Sequence, residues 1–324
     1  MNLEHVSDKS AGNIQGEHKM TSHSVSAFEI QVRNTALKGD QLAVLDKITI
    51  KGVAHDLFDV IGKFLGLHSA THKQFIVNNS NRLVKVSAIT TNKATREISC
   101  YVGQGTFGIP SDIISSKSLV STHKKQSEES DVVEYYVHLR IPAGRKCGYV
   151  IFHSIGNMNV KSWFADNLGL HVNTTLSGCA LKMKPLCSSL AMKKYLKEAD
   201  VKSIKVSAFE VQAGPDVADI LMDGDVEKIL VLKKEGGFGK LKSLMGVGKK
   251  RDQLVAISDA NCTDVKAEVA FDGRTRTISL EGTKTPKAKF YIQDPEVKFV
   301  NGMPVRSSIS GYATDLIDDL IKAN

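Results

Sequence analysis

VSAFEIQV at residues 25–32 predicts a half-buried β-strand, because apolar and polar residues alternate along it. Residues 206–212 read VSAFEVQ and repeat residues 25–31 with a single Ile-to-Val exchange. Three more pairs of similar segments follow in the same order: RLVKVS (82–87) with QLVAIS (253–258), TREIS (95–99) with TRTIS (275–279), and EYYVHL (134–139) with KFYIQD (289–294). This order favours a weak internal duplication, with chance similarity between short strands as the alternative.

The spacing of apolar and polar residues along the rest of the chain predicts many strands and few helices. Strands are expected near 25–32, 41–51, 73–78, 82–90, 95–102, 132–140 and 148–154, and again near 181–184, 203–211, 228–233, 253–258, 265–271, 275–280 and 288–293. Helices are expected over Ala54–Leu67 with Gly66 as a stop, Val160–Leu168, Ser188–Asp200, Pro215–Met222 and Tyr312–Ala323. Since strands seldom alternate with helices, we expect an α+β fold with mixed or antiparallel sheets, flanking helices and two related halves.

The predicted organisation is a flexible polar tail over 1–24, a first α+β half over 25–180 and a second α+β half over 181–324. The five scattered cysteines form no CxxC pair, so we expect reduced thiols in a cytoplasmic protein. The tail lacks the apolar region of a signal peptide, and no run reaches the roughly 20 apolar residues of a spanning helix.

A basic glycine-rich segment over 228–251 stands out within the second half. It places eight Lys and Arg residues against the single acid Glu235, and it contains five glycines. Its net charge of +7 compares with +8 for the whole chain. Such a segment attracts phosphate polyanions, although a solvated basic loop or a very short membrane-surface helix has the same composition.

These charges identify the candidate DNA-binding residues, together with a second basic cluster near the junction of the halves. The second cluster comprises Lys182, Lys184, Lys193, Lys194, Lys197, Lys202 and Lys205. Lysines contact phosphate without reading bases, and no helix-turn-helix, zinc-finger or RNA-binding signature is present. The residues that we predict to bind DNA, independently of its sequence, are Lys193, Lys194, Lys197, Lys233, Lys234, Lys240, Lys242, Lys249, Lys250 and Arg251.

Two glycine motifs resemble nucleotide sites but fail in detail. GQGTFG at 103–108 has the GxGxxG spacing, yet Pro110 follows where the required helix should run, so a glycine-rich turn is expected. The 228–251 segment lacks the GxxxxGK[ST] frame, because Ser243 stands five residues before Gly248 and Lys250 follows Lys249. Nucleotide hydrolysis is therefore not supported, and no cofactor is expected.

Candidate metal ligands are equally weak. His68 and His72 are four residues apart, but no glutamate completes an HExxH motif. An acidic cluster fits neither an EF-hand nor a nuclease motif, and it comprises Asp216, Asp219, Asp223, Asp225 and Glu227. Trp163, beside Phe164, is expected to be a core residue or a dimer anchor.

The order of several segments resembles that of the RexA exclusion proteins of temperate phages. These segments are QLAVLDKITIKG (41–52), RLVKVSAITTN (82–92), the glycine turn before FGIPSDII (107–114), LKMKPL (181–186) before a lysine-rich stretch, SIKVSAF (203–209) leading to VADIL (217–221), KILVLKK (228–234) and TDLIDDLIKAN (314–324). The resemblance covers most of the chain from Val25 onward and contains no diagnostic motif.

The resemblance implies a homodimeric, cytoplasmic, sequence-tolerant DNA-binding protein of a phage-exclusion (abortive infection) system, acting without catalysis. Such a protein would sense invading-phage DNA, or intermediates that contain phage replication proteins, and signal to a small membrane channel protein. Two alternatives remain open from the residues alone. One is a metal-dependent nuclease or nucleotide-hydrolysing enzyme, and the other is a structural or assembly protein with an incidental basic loop.

Overall fold

A computed structural model of the chain describes residues 22–34, 41–70, 73–77, 80–186, 197–207, 229–240, 264–271, 274–279, 289–293 and 295–322. Within these ranges, helices pack against one large antiparallel sheet, which confirms the predicted α+β class. The expected polar tail lies outside them apart from its last three residues, and the first strand begins at His23.

The described elements are named in chain order. The helices are α1 (Leu57–Ala70), α2 (Lys161–Thr175) and α3 (Arg306–Lys322). The strands are β1 (His23–Asn34), β2 (Ile48–Ile50), β3 (Val53–His55), β4 (Lys73–Val77), β5 (Ser80–Asn92), β6 (Glu97–Thr106), β7 (Ser111–Ile114), β8 (Ser121–Lys125), β9 (Val133–Arg140), β10 (Gly148–Ile155), β11 (Met158–Asn159), β12 (Cys179–Pro185), β13 (Asp200–Ser207), β14 (Ile229–Lys233), β15 (Asp264–Phe271), β16 (Arg274–Ser279), β17 (Lys289–Ile292), β18 (Phe299–Val300) and β19 (Met303–Pro304).

The main sheet has 13 strands, and β1 lies at its centre. Its order is β14-β13-β15-β16-β17-β1-β10-β9-β6-β5-β4, with β11 also pairing with β10 and β12 with β1. One edge of β1 pairs with β10, whereas its other edge pairs with β17 and then with β12. The segment 25–32 therefore joins the parts of the sheet that come from the two ends of the chain.

The alternation along β1 supplies two separate cores, one on each face of the sheet. Phe28 and Ile30 point to the face covered by α1 and α2, where they pack with Phe64 and Phe164. Val25 and Ala27 point to the opposite face, where α3 contributes Ile309, Tyr312, Ala313, Leu316, Ile317 and Leu320. Because alternate residues of a strand face opposite sides, β1 contributes side chains to both cores.

Helix α1 continues past an internal glycine because its buried apolar face stabilises it. Leu57, Ile61, Phe64 and Leu65 recur at helical spacing and are fully buried. The predicted stop at Gly66 is wrong, because the helix continues to Ala70. A mid-helix glycine costs only about 1 kcal/mol relative to alanine, which is less than the stabilisation from burying one large side chain.

The GxGxxG segment is mainly strand, so the prediction of a glycine-rich turn is wrong for its first two glycines. Gly103 and Gly105 lie within β6, and only Gly108 adopts a turn conformation, with φ of +95°. A Cβ on Gly105 would stand 2.3 Å from the carbonyl oxygen of Asp131. These glycines allow neighbouring backbone to approach β6 closely.

Helices α1, α2 and α3 each follow a tight β-hairpin. The turn between β2 and β3 has positive φ at Lys51 and Gly52, and the turn between β18 and β19 has it at Asn301 and Gly302. Two consecutive positive φ values are typical of the type I′ turn, whose twist matches that of the paired strands. Helix α2 likewise follows the β10–β11 hairpin. The predicted helices at 160–168 and 312–323 are thus confirmed, with longer bounds.

The proposed duplication remains a prediction. The TREIS segment enters β6, which pairs with β9, and the TRTIS segment lies in β16, which pairs with β17. The strand partners therefore correspond between the two halves. Residues 208–212 and 253–258, which carry the rest of the similarity, lie outside the described residues.

Candidate nucleic-acid interface

Four of the ten predicted DNA-binding residues lie within the described part of the chain. Lys197, Lys233, Lys234 and Lys240 are all exposed. The other six lie outside the described residues, and they are Lys193, Lys194, Lys242, Lys249, Lys250 and Arg251. Because the four described lysines are exposed, they can contact a polyanion.

Lys240 is engaged with groups of its own chain. Its Nζ lies 3.0 Å from an Asp200 carboxylate oxygen and donates to the Glu198 carbonyl oxygen at 2.8 Å. About half of the side chain is exposed, so solvent screens the pair. Of the predicted residues, Lys240 is the one whose charge is partly compensated by a carboxylate in the described structure.

The described glycines of the basic segment hold it against β13. Phe238 donates its backbone N–H to the Val201 carbonyl at 2.8 Å, and Val201 donates to the Gly239 carbonyl at 2.9 Å. Gly237 has φ of +76°, and a Cβ there would stand 2.6 Å from the Val201 oxygen. Glycine at position 237 therefore permits a close backbone approach to β13.

Strand register brings lysines from four different strands to one face of the sheet. Lys205 of β13 is directly opposite Lys266 of β15. Ser203, two residues earlier on β13, is opposite Lys233 of β14. Because directly opposed residues and residues two apart share a face, these three lysines point to the same side.

The same face extends across β16 and β17. Ser203 is also opposite Glu268, which is opposite Thr277 of β16, and Thr277 is opposite Tyr291 of β17. Lys289 precedes Tyr291 by two residues and shares its face. We call Lys205, Lys233, Lys266 and Lys289 the lysine face.

Tyr291 lies between two of these lysines. The Lys266 Nζ stands 4.1 Å from the centre of the tyrosine ring, and the Lys289 Nζ stands 5.4 Å from it. Both distances are within the range of cation–π attraction. The Lys289 Nζ also donates to the Gly156 carbonyl oxygen at 3.2 Å, which fixes its position near the β10 end. An aromatic ring among cations on a sheet surface is typical of sites that stack nucleic-acid bases.

An open cavity of about 220 Å³ lies on the lysine face. Its lining residues are Lys205, Lys266, Glu268, Thr275, Thr277, Gln293, Pro295 and Glu296. The Ser203 hydroxyl donates to a Glu268 carboxylate oxygen at 2.7 Å and so stabilises that charge. The cavity thus combines two ammonium groups, two carboxyl groups and several neutral hydrogen-bonding groups.

Glu296 changes charge near neutral pH. Burial raises the pKa of its carboxyl group to about 7, against the opposing effect of the nearby Arg276. Its Oε2 has no hydrogen-bond partner among the described residues. The lysine face is therefore more positive below pH 7 than above it.

The second basic cluster is divided between the two faces of the sheet. Lys182 and Lys184 of β12 are opposite Gln31 and Glu29 of β1, which face the α3 side. Lys205 faces the other side, with the lysine face. Strand alternation thus separates charges that are close in sequence, while Lys266 and Lys289, which were missed by sequence reasoning, join Lys205.

Of the candidate metal ligands, only His68 lies within the described part of the chain. The His68 Nδ1 lies 2.9 Å from the Phe64 carbonyl oxygen, and the ring packs beside Trp163. His72 and the acidic cluster from Asp216 to Glu227 lie outside the described residues. Within the described residues, no three His, Cys, Asp or Glu side chains are grouped to hold a metal ion. Trp163 packs against the α1/α2 core, as predicted.

A scan against protein-family models gives no match for this chain, and a search of curated proteins likewise gives no significant match. The resemblance to the RexA exclusion proteins therefore remains a prediction. Over the described residues, no helix is long and apolar enough to cross a membrane.

Proposed function

We propose that the chain binds DNA without sequence preference through its lysine face. The observation that carries this proposal is the convergence of Lys205, Lys233, Lys266 and Lys289 on one side of the sheet, with Tyr291 beside the last two. Neighbouring strands are about 4.8 Å apart, so the four strand steps from β14 to β17 span about 19 Å. A duplex presents on the order of ten phosphate charges over that length.

The chemistry of this face favours contact with the backbone over recognition of bases. Ammonium groups interact with phosphate as point charges, and a tyrosine ring can stack on any base. Bidentate base recognition uses mainly Arg, Asn and Gln, and among the described residues that line the cavity only Gln293 belongs to that set. Affinity should therefore depend strongly on salt and weakly on sequence.

The biological setting of this proposal rests on the resemblance to RexA exclusion proteins. In that setting, the chain acts as a cytoplasmic homodimer that senses invading-phage DNA or DNA–protein intermediates. It then signals to a membrane channel partner, and the response ends the infection. DNA binding without catalysis is the biochemical core of this role.

Filter binding across a salt series tests the proposal directly. Each neutralised phosphate contributes roughly 0.9 to the log–log salt slope on duplex DNA and roughly 0.7 on a single strand. The triple variant Lys205→Ala/Lys266→Ala/Lys289→Ala should therefore flatten the duplex slope by up to about 2.7. Comparing duplex and single-stranded probes of unrelated sequence identifies the preferred form.

A matched triple variant controls for total charge. Lys63, Lys85 and Lys93 are exposed on α1, on β5 and just after β5, away from the lysine face. Replacing these three with alanine should leave the salt slope close to that of the wild type. Absence of DNA binding at low salt, or equal losses in both triple variants, would refute the proposal.

A further inference from the structure

The β7–β8 hairpin projects from the main sheet as a separate two-stranded ribbon. Every residue of β7 is exposed, and in β8 only Lys125 is buried. Lys125 fixes the base of the ribbon, because its Nζ lies 2.8 Å from an Asp131 oxygen and donates to the Thr106 carbonyl at 3.2 Å. Since both faces of the ribbon meet solvent, its side chains add little to either core.

The ribbon nevertheless carries large apolar side chains. Ile113, Ile114, Leu119 and Val120 surround its tip and are 46%, 56%, 80% and 61% exposed, and Ile109 before the ribbon is 74% exposed. Single exposed apolar residues are common on proteins, whereas a continuous group of them marks a surface that meets an apolar partner. We call the segment 113–121 the ribbon tip.

The turn at the ribbon tip holds a leucine in an unfavourable backbone conformation. Leu119 has φ of +55°, in the left-handed region that glycine and asparagine adopt most readily. Its N–H donates to the Ser115 carbonyl at 2.8 Å, and the Ser115 N–H donates to the Val120 carbonyl at 3.0 Å. A strained, ordered turn thus presents the most exposed leucine of the described chain to solvent.

The composition of the ribbon tip favours a lipid surface over a protein partner. Its sequence, IISSKSLVS, has four aliphatic residues, four serines and Lys117, with no carboxylate and no aromatic residue. Protein interfaces are enriched in aromatic residues, Met and Arg and depleted in Lys and Ser. Aliphatic side chains beside a lysine fit the boundary of a bilayer, where the chains enter the lipid and the ammonium group stays at the headgroups.

We propose that the ribbon tip inserts into the headgroup region of an anionic bilayer. Lys117 at the apex supplies positive charge next to the apolar side chains, in a chain of net charge +8. Residues 115–119 form the turn beyond the last paired residue of β7, so these side chains lie at the end of the ribbon.

Vesicle co-sedimentation of the full chain tests this insertion. The probes are vesicles of phosphatidylcholine alone and vesicles of phosphatidylcholine mixed with phosphatidylserine. The wild type should bind the mixed vesicles more strongly. The double variant Leu119→Asn/Val120→Ser should lower the partition coefficient at least about tenfold, because two aliphatic side chains no longer enter the lipid. Asparagine tolerates the left-handed conformation, so this variant keeps the turn.

Two further variants separate insertion from other causes of binding. Leu170→Ser removes a 68% exposed leucine from α2 and should leave vesicle binding unchanged. The lysine-face triple variant should retain the part of vesicle binding that Leu119→Asn/Val120→Ser removes, whereas the ribbon variant should retain DNA binding. The two proposals can therefore fail independently.

Three outcomes overturn the ribbon proposal. The first is no vesicle binding at low salt, and the second is equal binding by wild type and ribbon variant. The third is concentration-dependent self-association, seen by light scattering without vesicles and abolished by Leu119→Asn/Val120→Ser. That last result would assign the ribbon tip to contact between copies of the chain.

Discussion

Loss of one partner from the buried Arg276–Asp319 ion pair should severely destabilise the packing of α3. The Arg276 Nη2 lies 2.8 Å from an Asp319 oxygen, and the two side chains are 3% and 0% exposed. Arg276 belongs to β16 and Asp319 to α3, so the pair joins the helix to the sheet. The guanidinium group also lies 4.7 Å from the centre of the Tyr312 ring.

The expected magnitude follows from the burial of both charges. Asp319→Ala leaves a guanidinium in the core without this partner, which should cost about 3–5 kcal/mol of unfolding free energy. The double variant Arg276→Met/Asp319→Leu removes both charges and restores apolar volume, so it should lie within about 1–2 kcal/mol of the wild type. The pair is thus expected to show strong non-additivity between its two positions.

Urea denaturation followed by circular dichroism measures these differences. Hydrogen exchange of the α3 amides would show whether the single variants detach the helix before the sheet unfolds. A loss below about 1 kcal/mol in Asp319→Ala would contradict the argument from burial. A double variant as unstable as the single one would show that lost packing, rather than the loss of the Asp319 carboxylate beside Arg276, causes the damage.

Three further predictions concern pH and close packing. Glu296→Gln should raise DNA affinity at pH 8 and remove the wild-type increase in affinity as the pH falls through about 7, measured by filter binding. Ionisation of a carboxyl group with a raised pKa destabilises the fold. Glu296→Gln should therefore also raise the free energy of unfolding at pH 8 by about 1–2 kcal/mol, after allowance for partial exposure of the side chain. Below about pH 4.5 the substitution should leave the free energy of unfolding unchanged. Burial and the neighbouring His23 lower the pKa of His153 to about 3. The stability of the fold is therefore greatest above pH 6.5, where His153 is neutral in both the folded and the unfolded chain. As the pH falls from about 6.5 towards 3, the free energy of unfolding should decrease by up to about 1.4 kcal/mol per pH unit. His153→Gln should reduce this slope in denaturation series run at several pH values. Gly105→Ala should cost about 1–3 kcal/mol through its clash with Asp131, whereas Gly62→Ala in α1, with open space at the added methyl, should be neutral or stabilising in the same assay.

Sequence patterns predicted the elements that have one buried face. The alternation at 25–32 located β1, and the apolar spacing at 57–65 located α1, because burial imposes these periods. The segment 41–51 alternates too, but only its last residues form a strand. Leu45 is buried there in an irregular connection whose N–H donates to the Arg145 carbonyl at 2.8 Å. The ribbon escaped prediction because it has no buried face to impose a period.

The lysine face could not be predicted from charge density, because its members are far apart in sequence. Lys205 and Lys266 become neighbours only through the pairing of β13 with β15. The segment 228–251 contributes Lys233 to this face within the described residues, while Lys240 is turned towards Asp200. Counting charge along the chain thus led to a hypothesis about the partner's chemistry but did not locate the surface that we propose to bind it.

A single irregularity in β13 decides which side of the sheet Lys205 occupies. Val201 is opposite Val269 and is buried towards α3, while Ser203 is opposite Glu268 on the other face. Two residues that are two apart normally share a face, so the register shift between them reverses the alternation. Without it, Lys205 would point into the α3 core, and burying its charge there would be costly. In the sequence, this bulge is visible as a spacing of three residues between the buried Val201 and Ile204. The bulge places Lys205 where a polyanion can reach it.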